Sequence, residues 1–409
     1  MTATVVAIFA LVYLGMILGG LPFLQLDRTG VALLGAIALV ALGAVTPEDA
    51  ARSIHLPTLL LLFSFMVISA QMRLGGFYAR VTLQVAGLPC SPAALLALII
   101  AVVAALAAVF SNDIVCLAVA PVLADACLRR RLDPLPYLLA LACAANVGSA
   151  ATLIGNPQNM LIGEVLKLPF GGYFRAVIAP VLASLAVVWA LIAWQFRGRW
   201  EITQPPPARE ARDQSPPFER WQTVKGLAVA AALLAVFLLT GWPREVAALT
   251  GAGLLLMSRK LHSNKMLGLV DWELLILFIG LFVVNGALAR TGITREAIEA
   301  LAHSGVPLTE PGVLFGASFL LSNLVSNVPA VMLLLPAATE PFSGPMLALV
   351  STLAGNLLIV GSIANIIVVD AAARRGIAID WRRHARVGIP VTLATLALSA
   401  GWFALAHPA

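Results

Sequence analysis

Charge is what this sequence has least of. Only 11% of its 409 residues are Asp, Glu, Lys or Arg, while 60% are hydrophobic and the mean hydropathy is +0.95. A soluble domain carries about a quarter charged residues, so the composition excludes one and implies a multi-spanning membrane protein. Cysteine is scarce too. Cys90, Cys116, Cys127 and Cys143 lie in or beside apolar segments without CxxC or Cys/His metal spacing, and read as small buried hydrophobes rather than ligands or disulfides. HExxH, GxSxG and an acidic pair at matched depth are all missing, so no enzyme is expected. No Lys or Arg precedes Arg28, and the first apolar run therefore lacks the basic flank of a cleavable signal. The formal net charge of +6 does not imply nucleic acid, because the basic residues sit in short loops between apolar runs, where they set orientation.

What is abundant is apolar sequence of spanning length, about 20 residues. Such runs fall near 2–22, 30–46, 56–72, 134–165, 174–196, 225–241, 245–258, 271–289, 346–370 and 387–406, which gives ten crossings. Two more segments, 92–128 and 311–338, are apolar on both sides of a polar Ser-Asn tip. As one helix the first would be about 55 Å long at 1.5 Å per residue, too long for a hydrocarbon core of about 30 Å, so both read as re-entrant hairpins.

Between 197 and 222 the composition changes to Pro-rich, mixed-charge sequence, a linker that divides the chain into 1–196 and 223–409. The halves align. Ser111-Asn112 and Pro121 match Ser326-Asn327 and Pro336 at one offset, and Gly155 and Asn159 match Gly361 and Asn365. Each half then holds five crossings and one hairpin. The fold expected is an all-α polytopic membrane protein of two inverted-topology repeats, with broken helices at 134–165 and 346–370. All but six of the 26 basic residues (Arg52, Lys167, Arg175, Arg244, Arg290 and Arg295) fall on the linker side. The positive-inside rule therefore puts the linker in the cytoplasm and both termini outside, in an inner-membrane protein.

The polar breaks carry the chemistry. Unwound backbone at mid-depth survives only when buried in protein or lining a wet cavity, and paired breaks in two halves point to the binding site of a secondary transporter. The candidate substrate-binding residues are Ser111, Asn112, Asn146, Gly148, Ser149 and Thr152, with Gly155, Asn156 and Asn159 in the first half. Ser326, Asn327, Asn356, Gly361, Ser362 and Asn365 are their counterparts in the second. Asn156 before Pro157 reads as a helix N-cap, Ser362 as another, and Asn112 and Asn327 as caps of the second hairpin arms. Four half-helix N-termini would then form an anion-friendly region without Lys or Arg, and the facing carbonyls could hold a sodium ion. Asp113 is the one carboxylate at a tip. Its counterpart is Val328, so the repeat does not explain it; with Asn112 and Asn327 it is the candidate for a coupling cation, proton or sodium. No other cofactor and no metal site is expected. Asp125 is expected to pair with Arg129, Glu164 and Asp370 to be solvated near the interface, and the GxxxG of Gly15 and Gly19 to mark close packing.

With Ser111-Asn112-Asp113, Asn146-Val147-Gly148-Ser149, Gly155-Asn156-Pro157-Gln158-Asn159 and Gly355-Asn356 through Ser362-Ile363-Ala364-Asn365, the chain resembles the ion transporter superfamily. That superfamily includes arsenite permeases, sodium/proton antiporters of the D type, and citrate and dicarboxylate transporters. The resemblance implies a homodimer in membrane lipid, each protomer moving a transport domain of hairpins and broken helices as an elevator against a scaffold. Sodium-coupled dicarboxylate carriers have Ser-Asn-Thr at both tips, whereas Asp113 and Val328 stand third here. The Asn-Asp pair is more similar to the arsenite permease and anion transporter branch. The resemblance thus implies secondary transport of a small inorganic or organic anion or oxyanion, with arsenite-type efflux foremost. Sodium/proton antiport and sodium-coupled di- or tricarboxylate transport are the alternatives.

Overall fold

The chain is described by a computed structural model over residues 1–20, 24–202 and 217–406. The centre of the expected linker, 203–216, lies outside the described residues. Residues 1–202 form ten helices: α1 (Thr2–Leu18), α2 (Arg28–Ala41), α3 (Pro47–Ser53), α4 (Leu56–Leu74), α5 (Phe77–Ala86), α6 (Pro92–Phe110), α7 (Asn112–Arg129), α8 (Pro134–Ser149), α9 (Pro157–Val165) and α10 (Phe170–Gln195). Residues 217–406 form ten more: α11 (Arg220–Leu239), α12 (Arg244–Leu256), α13 (Ser263–Leu267), α14 (Trp272–Arg290), α15 (Ile293–His303), α16 (Pro311–Val325), α17 (Asn327–Leu334), α18 (Ser343–Ala354), α19 (Ile363–Ala373) and α20 (Trp381–Ala406).

Local chemistry sets the helix starts. Proline stands at or next to the first helical position of α3, α4, α6, α8, α9 and α16, where its missing N–H costs nothing. The side chains of Ser91, Asp133 and Asp271 accept from the N–H groups of Ala94, Leu135 and Leu274 at 3.3, 2.9 and 2.9 Å. Among the described residues α4, α6, α10, α11, α14 and α20 are long and apolar enough to cross a membrane. The remaining expected crossings are shorter helices: α1, α2 and α12 have 17, 14 and 13 residues, and the broken helices are pairs of half-length pieces. The apolar patterning did not foretell α3, α5, α13 and α15, which fill intervals between runs. α5 buries Tyr78, Thr82 and Ala86, one stripe at a spacing of four.

Helix α8 is the centre of the packing. All of its residues but Leu135 are buried, and it touches α6, α7, α10, α18, α19 and α20. Contacts between the two series come in matched pairs: α2 packs on α14 and α4 on α12, while α7 packs on α19 and α17 on α9. The linker is tethered at both ends. Asp133 N donates to Trp200 O at 2.8 Å and Ile202 N to Arg131 O at 3.0 Å; Glu219 N donates to Gly75 O at 3.0 Å and Gln71 Nε2 to Gln222 Oε1 at 2.8 Å. Residues 197–202 and 219–222, expected to belong to a soluble spacer, are thus bonded to the helices. Gly15 faces Val31 of α2, so it serves packing within the chain, and Gly19 forms the left-handed C-cap of α1.

Candidate functional site

Both hairpins turn at a strained serine. Ser111 has φ 68° and ψ 130°, Ser326 φ 79° and ψ 161°, a region that L-residues avoid at a cost of about 1–3 kcal/mol each. Two of the four non-glycine residues with positive φ among those described therefore occupy equivalent tip positions. The serines take the N-cap positions of α7 and α17 without a side-chain cap, and Asn112 and Asn327 are the first helical residues rather than the caps expected. That places the asparagine amides one residue deeper, free to bond sideways.

Asn112 bonds in two directions. Its backbone N–H donates to Gly155 O at 3.1 Å and its Nδ2 to Asn146 Oδ1 at 3.0 Å, which joins the first tip to the broken helix α8–α9. Asn146 Oδ1 also accepts from Ser362 Oγ at 2.9 Å, and Asn146 Nδ2 donates to Asn356 Oδ1 at 2.9 Å and Asn365 Oδ1 at 3.2 Å. One buried amide thus meets both broken helices and a hairpin. On the other side Asn156 Nδ2 donates to Ser149 Oγ at 3.0 Å and to Thr352 Oγ1 at 3.1 Å, and Gln158 Nε2 reaches the same Thr352 hydroxyl at 3.2 Å.

These bonds repeat across the halves. Ser149, Thr152 and Asn159 correspond to Gly355, Leu358 and Asn365 at one constant offset. Asn159 Nδ2 donates to the carbonyls of Ser149 (3.4 Å) and Thr152 (3.1 Å), and Asn365 Nδ2 to those of Gly355 (2.8 Å) and Leu358 (3.0 Å). Each amide satisfies carbonyls left open where a half-helix ends. At the same offset Asn146 corresponds to Thr352 and Asn156 to Ser362, so Asn156→Thr352 and Ser362→Asn146 are the same bond made in both directions between the halves.

Asn156 caps α9 as expected, its Oδ1 accepting from Asn159 N at 2.9 Å. Ser362 does not cap α19, because its hydroxyl is committed to Asn146. Gly148 lies against the backbone of Ala104 in α6, and Gly155 against that of Ser149; a Cβ at either position would overlap main chain. Thr152 Oγ1 donates to Ala108 O of the first hairpin. Gly361 ends a 3-10 turn against Gly355. The second tip is less engaged. Among the described residues the buried Oδ1 atoms of Asn323 and Asn327 accept no hydrogen bond, and those of Asn112 and Asn159 are likewise open, while Asn327 Nδ2 lies beside Gly355. Asp113, half-buried in the first turn of α7, makes no hydrogen bond or ion pair among the described residues.

The local patterning also missed parts of the cluster. Thr352 and Gln158 belong to the network itself. Tyr173 OH stands 3.1 Å from Asn159 Nδ2 and donates to Ala150 O at 2.8 Å. His384 of α20, buried, holds Nε2 3.1 Å from Asn356 O; only a protonated Nε2 can donate to that carbonyl. Two acids also differ from expectation. Asp125 pairs with Arg375 through contacts of 2.6 and 3.0 Å, not with Arg129, because α7 packs along α19. Glu164 is buried and paired with Arg244 at 2.9 Å instead of solvated, whereas Asp370 is exposed and pairs with Arg374.

Among the described residues no Lys or Arg side chain enters the cluster. Amide and hydroxyl groups dominate it, with four open carbonyl-type oxygens and one unpartnered carboxylate beside it, a composition that suits a small polar solute and a hard cation rather than a multiply charged anion alone.

Residues 9–354 match the family CitMHS, described as citrate transporter. A 46 kDa membrane protein of Mycobacterium leprae is 30% identical over 92% of this chain and 93% of its own. The silicon efflux transporter LSI3 of Oryza sativa subsp. japonica is 28% identical over 92% of each chain. In fold, the chain is similar to the crystal structure of the YdaH transporter of Alcanivorax borkumensis, with TM-score 0.55 and 15% identity over 100% of this chain and 99% of that one. The apolar multi-pass helices and the match over most of the length agree: the chain belongs to the CitMHS citrate transporter family, within the ion transporter superfamily, and is a membrane transporter rather than an enzyme.

Proposed function

We propose that this chain is a secondary active transporter built from two inverted repeats, 1–196 and 223–409, with hairpins at 92–128 and 311–338 and broken helices at 134–165 and 346–370. The carrying observation is the uncharged lining of the cluster formed by Asn112, Asn146, Asn156, Ser362 and Asn365. Amides and hydroxyls bind a neutral or weakly charged hydroxy species through its O–H groups. Arsenite, largely the uncharged hydroxide at neutral pH, is of this kind, and so is dissolved silicon, for whose efflux one relative is named. Arsenite-type efflux is therefore the leading reading. The family description favours a second, a di- or tricarboxylate, which in an uncharged site would travel with its charge offset by a bound cation. The carboxylate of Asp113 and the open oxygens of Asn112 and Asn327 are the proposed seat of the coupling ion, proton or sodium. By the same reading the protein works as an inner-membrane homodimer with both termini outside, and its hairpins and broken helices move together as the transport domain.

The test is counterflow in proteoliposomes with arsenite, silicate and citrate, with citrate assayed with and without magnesium, under imposed proton or sodium gradients. Saturable arsenite flux is expected; flux of citrate alone would move the assignment to the carboxylate reading, and flux of neither would remove both. The Asp113→Asn protein should lose gradient dependence, and coupling unchanged in that variant would exclude the carboxylate as the cation ligand.

A further inference from the structure

Away from the polar cluster, a cavity of about 940 Å³ opens where the end of α10, the start of α20 and the start of α8 meet. Four guanidinium groups line it: Arg197 and Arg199 just beyond α10, Arg383 and Arg386 in the first turns of α20. Among the described residues its one lining carboxylate is Asp133, whose Oδ1 accepts from Leu135 N at 2.9 Å. Arg199 is held by Gln195 O and Arg383 by Ala378 O at 2.6 Å and Asp380 at 4.0 Å. Arg197 and Arg386 have no hydrogen bond or ion pair from their side chains among the described residues. Two guanidinium groups without a partner among the described residues therefore share one concave wall.

That wall is fixed. Gln195 Nε2 donates to Arg386 O at 2.8 Å, tying α10 to α20, and residues 200–202 are bonded to Arg131 and Asp133. Leu128, Ile377 and Val387 supply an apolar side. Trp194, 72% exposed, lines the rim, and Trp381, 68% exposed, begins α20. Exposed tryptophans at the ends of two spanning helices mark the headgroup level of a bilayer. A guanidinium pair suits the oxygens of a phosphate group, and basic pockets at that depth suit anionic headgroups.

From this we infer that the cavity is a binding site for a phosphate group carried by an anionic phospholipid, with Arg197 and Arg386 on the phosphodiester and the Leu128–Val387 side against the glycerol and upper acyl chain. The inference does not depend on which solute the transporter moves.

Native mass spectrometry of the purified full chain, titrated with phosphatidylglycerol and phosphatidylcholine, tests it. The wild type should retain phosphatidylglycerol preferentially. The R197Q/R386Q protein should bind it about 30-fold more weakly, from the surface attraction of two basic side chains, with thermal unfolding in phosphatidylcholine unchanged. R197K/R386K should keep the preference. Equal phosphatidylglycerol retention by wild type and R197Q/R386Q would overturn the site. Displacement of the lipid by glycerol 3-phosphate or inorganic phosphate at matched concentration would overturn its assignment to a lipid and make it a site for soluble phosphate esters.

Discussion

Replacing Asn146 with Leu keeps the volume of the side chain and deletes the junction of the polar cluster. Four hydrogen bonds are lost: those from Asn112 Nδ2 and Ser362 Oγ, and those to Asn356 Oδ1 and Asn365 Oδ1. All four partners are buried, so each is left without compensation. A buried group so orphaned costs about 1–3 kcal/mol in a water-soluble protein, but bonds between membrane helices average only about 0.6 kcal/mol, because partners are also found in the unfolded reference state. The four together then cost about 2 kcal/mol at the membrane average and about 4–12 kcal/mol at the water-soluble range. Thr352 is the counterpart position, and Thr352→Val removes one hydroxyl that accepts from Asn156 and Gln158 and donates to Ala348 O. Asn156 keeps its bond to Ser149 in that variant, so a loss of about 1–2 kcal/mol is expected. Thermal unfolding in a single detergent, with solute flux measured in parallel, should order the proteins wild type, Thr352→Val, Asn146→Leu. If Asn146→Leu unfolds within a degree of wild type and transports normally, the cluster is not the structural joint argued above.

Other variants probe separate links. Gly148→Ala forces a methyl group into the backbone of Ala104, so α6 must move off α8; flux should fall by more than stability does, read by transport and unfolding on the same preparation. Asp125→Asn removes one side of a partly buried bidentate pair and should cost about 1–3 kcal/mol, largely recovered in the Asp125→Arg/Arg375→Asp exchange; a double variant no better than the singles would show that the pair is passive. At His384, Gln can still donate to Asn356 O and should preserve flux, whereas Leu, which cannot donate, should reduce it. Equal flux from both would remove the imidazole from the site.

Helix breaks and helix starts could be read from the sequence because their signals are local. The tips at Ser111 and Ser326 interrupt apolar runs, and Asn156-Pro157 announces a capped helix start that is present as written. What could not be read depends on residues distant along the chain. Asp125 has a basic residue one turn away in Arg129, yet α7 lies against α19 and presents it to Arg375. Glu164 looks like an interfacial acid until Arg244 closes over it. Thr352, Gln158 and His384 sit in apolar surroundings with ordinary priors, and only the opposing half turns them into partners of Asn156 and Asn356. The serine strain was invisible for another reason: a residue type does not disclose a positive φ that surrounding packing imposes.

The paired bonds Asn156→Thr352 and Ser362→Asn146 also bear on how such a chain can diverge. Each half supplies a donor to the other and accepts one in return, so a residue lost on one side leaves a vacancy that only the other side can refill. Drift at these positions should therefore be correlated, 156 with 352 and 362 with 146, while the rest of each half is free to diverge from its sibling. If the two halves are the repeats proposed above, these couples are the positions where neither half can change its part alone.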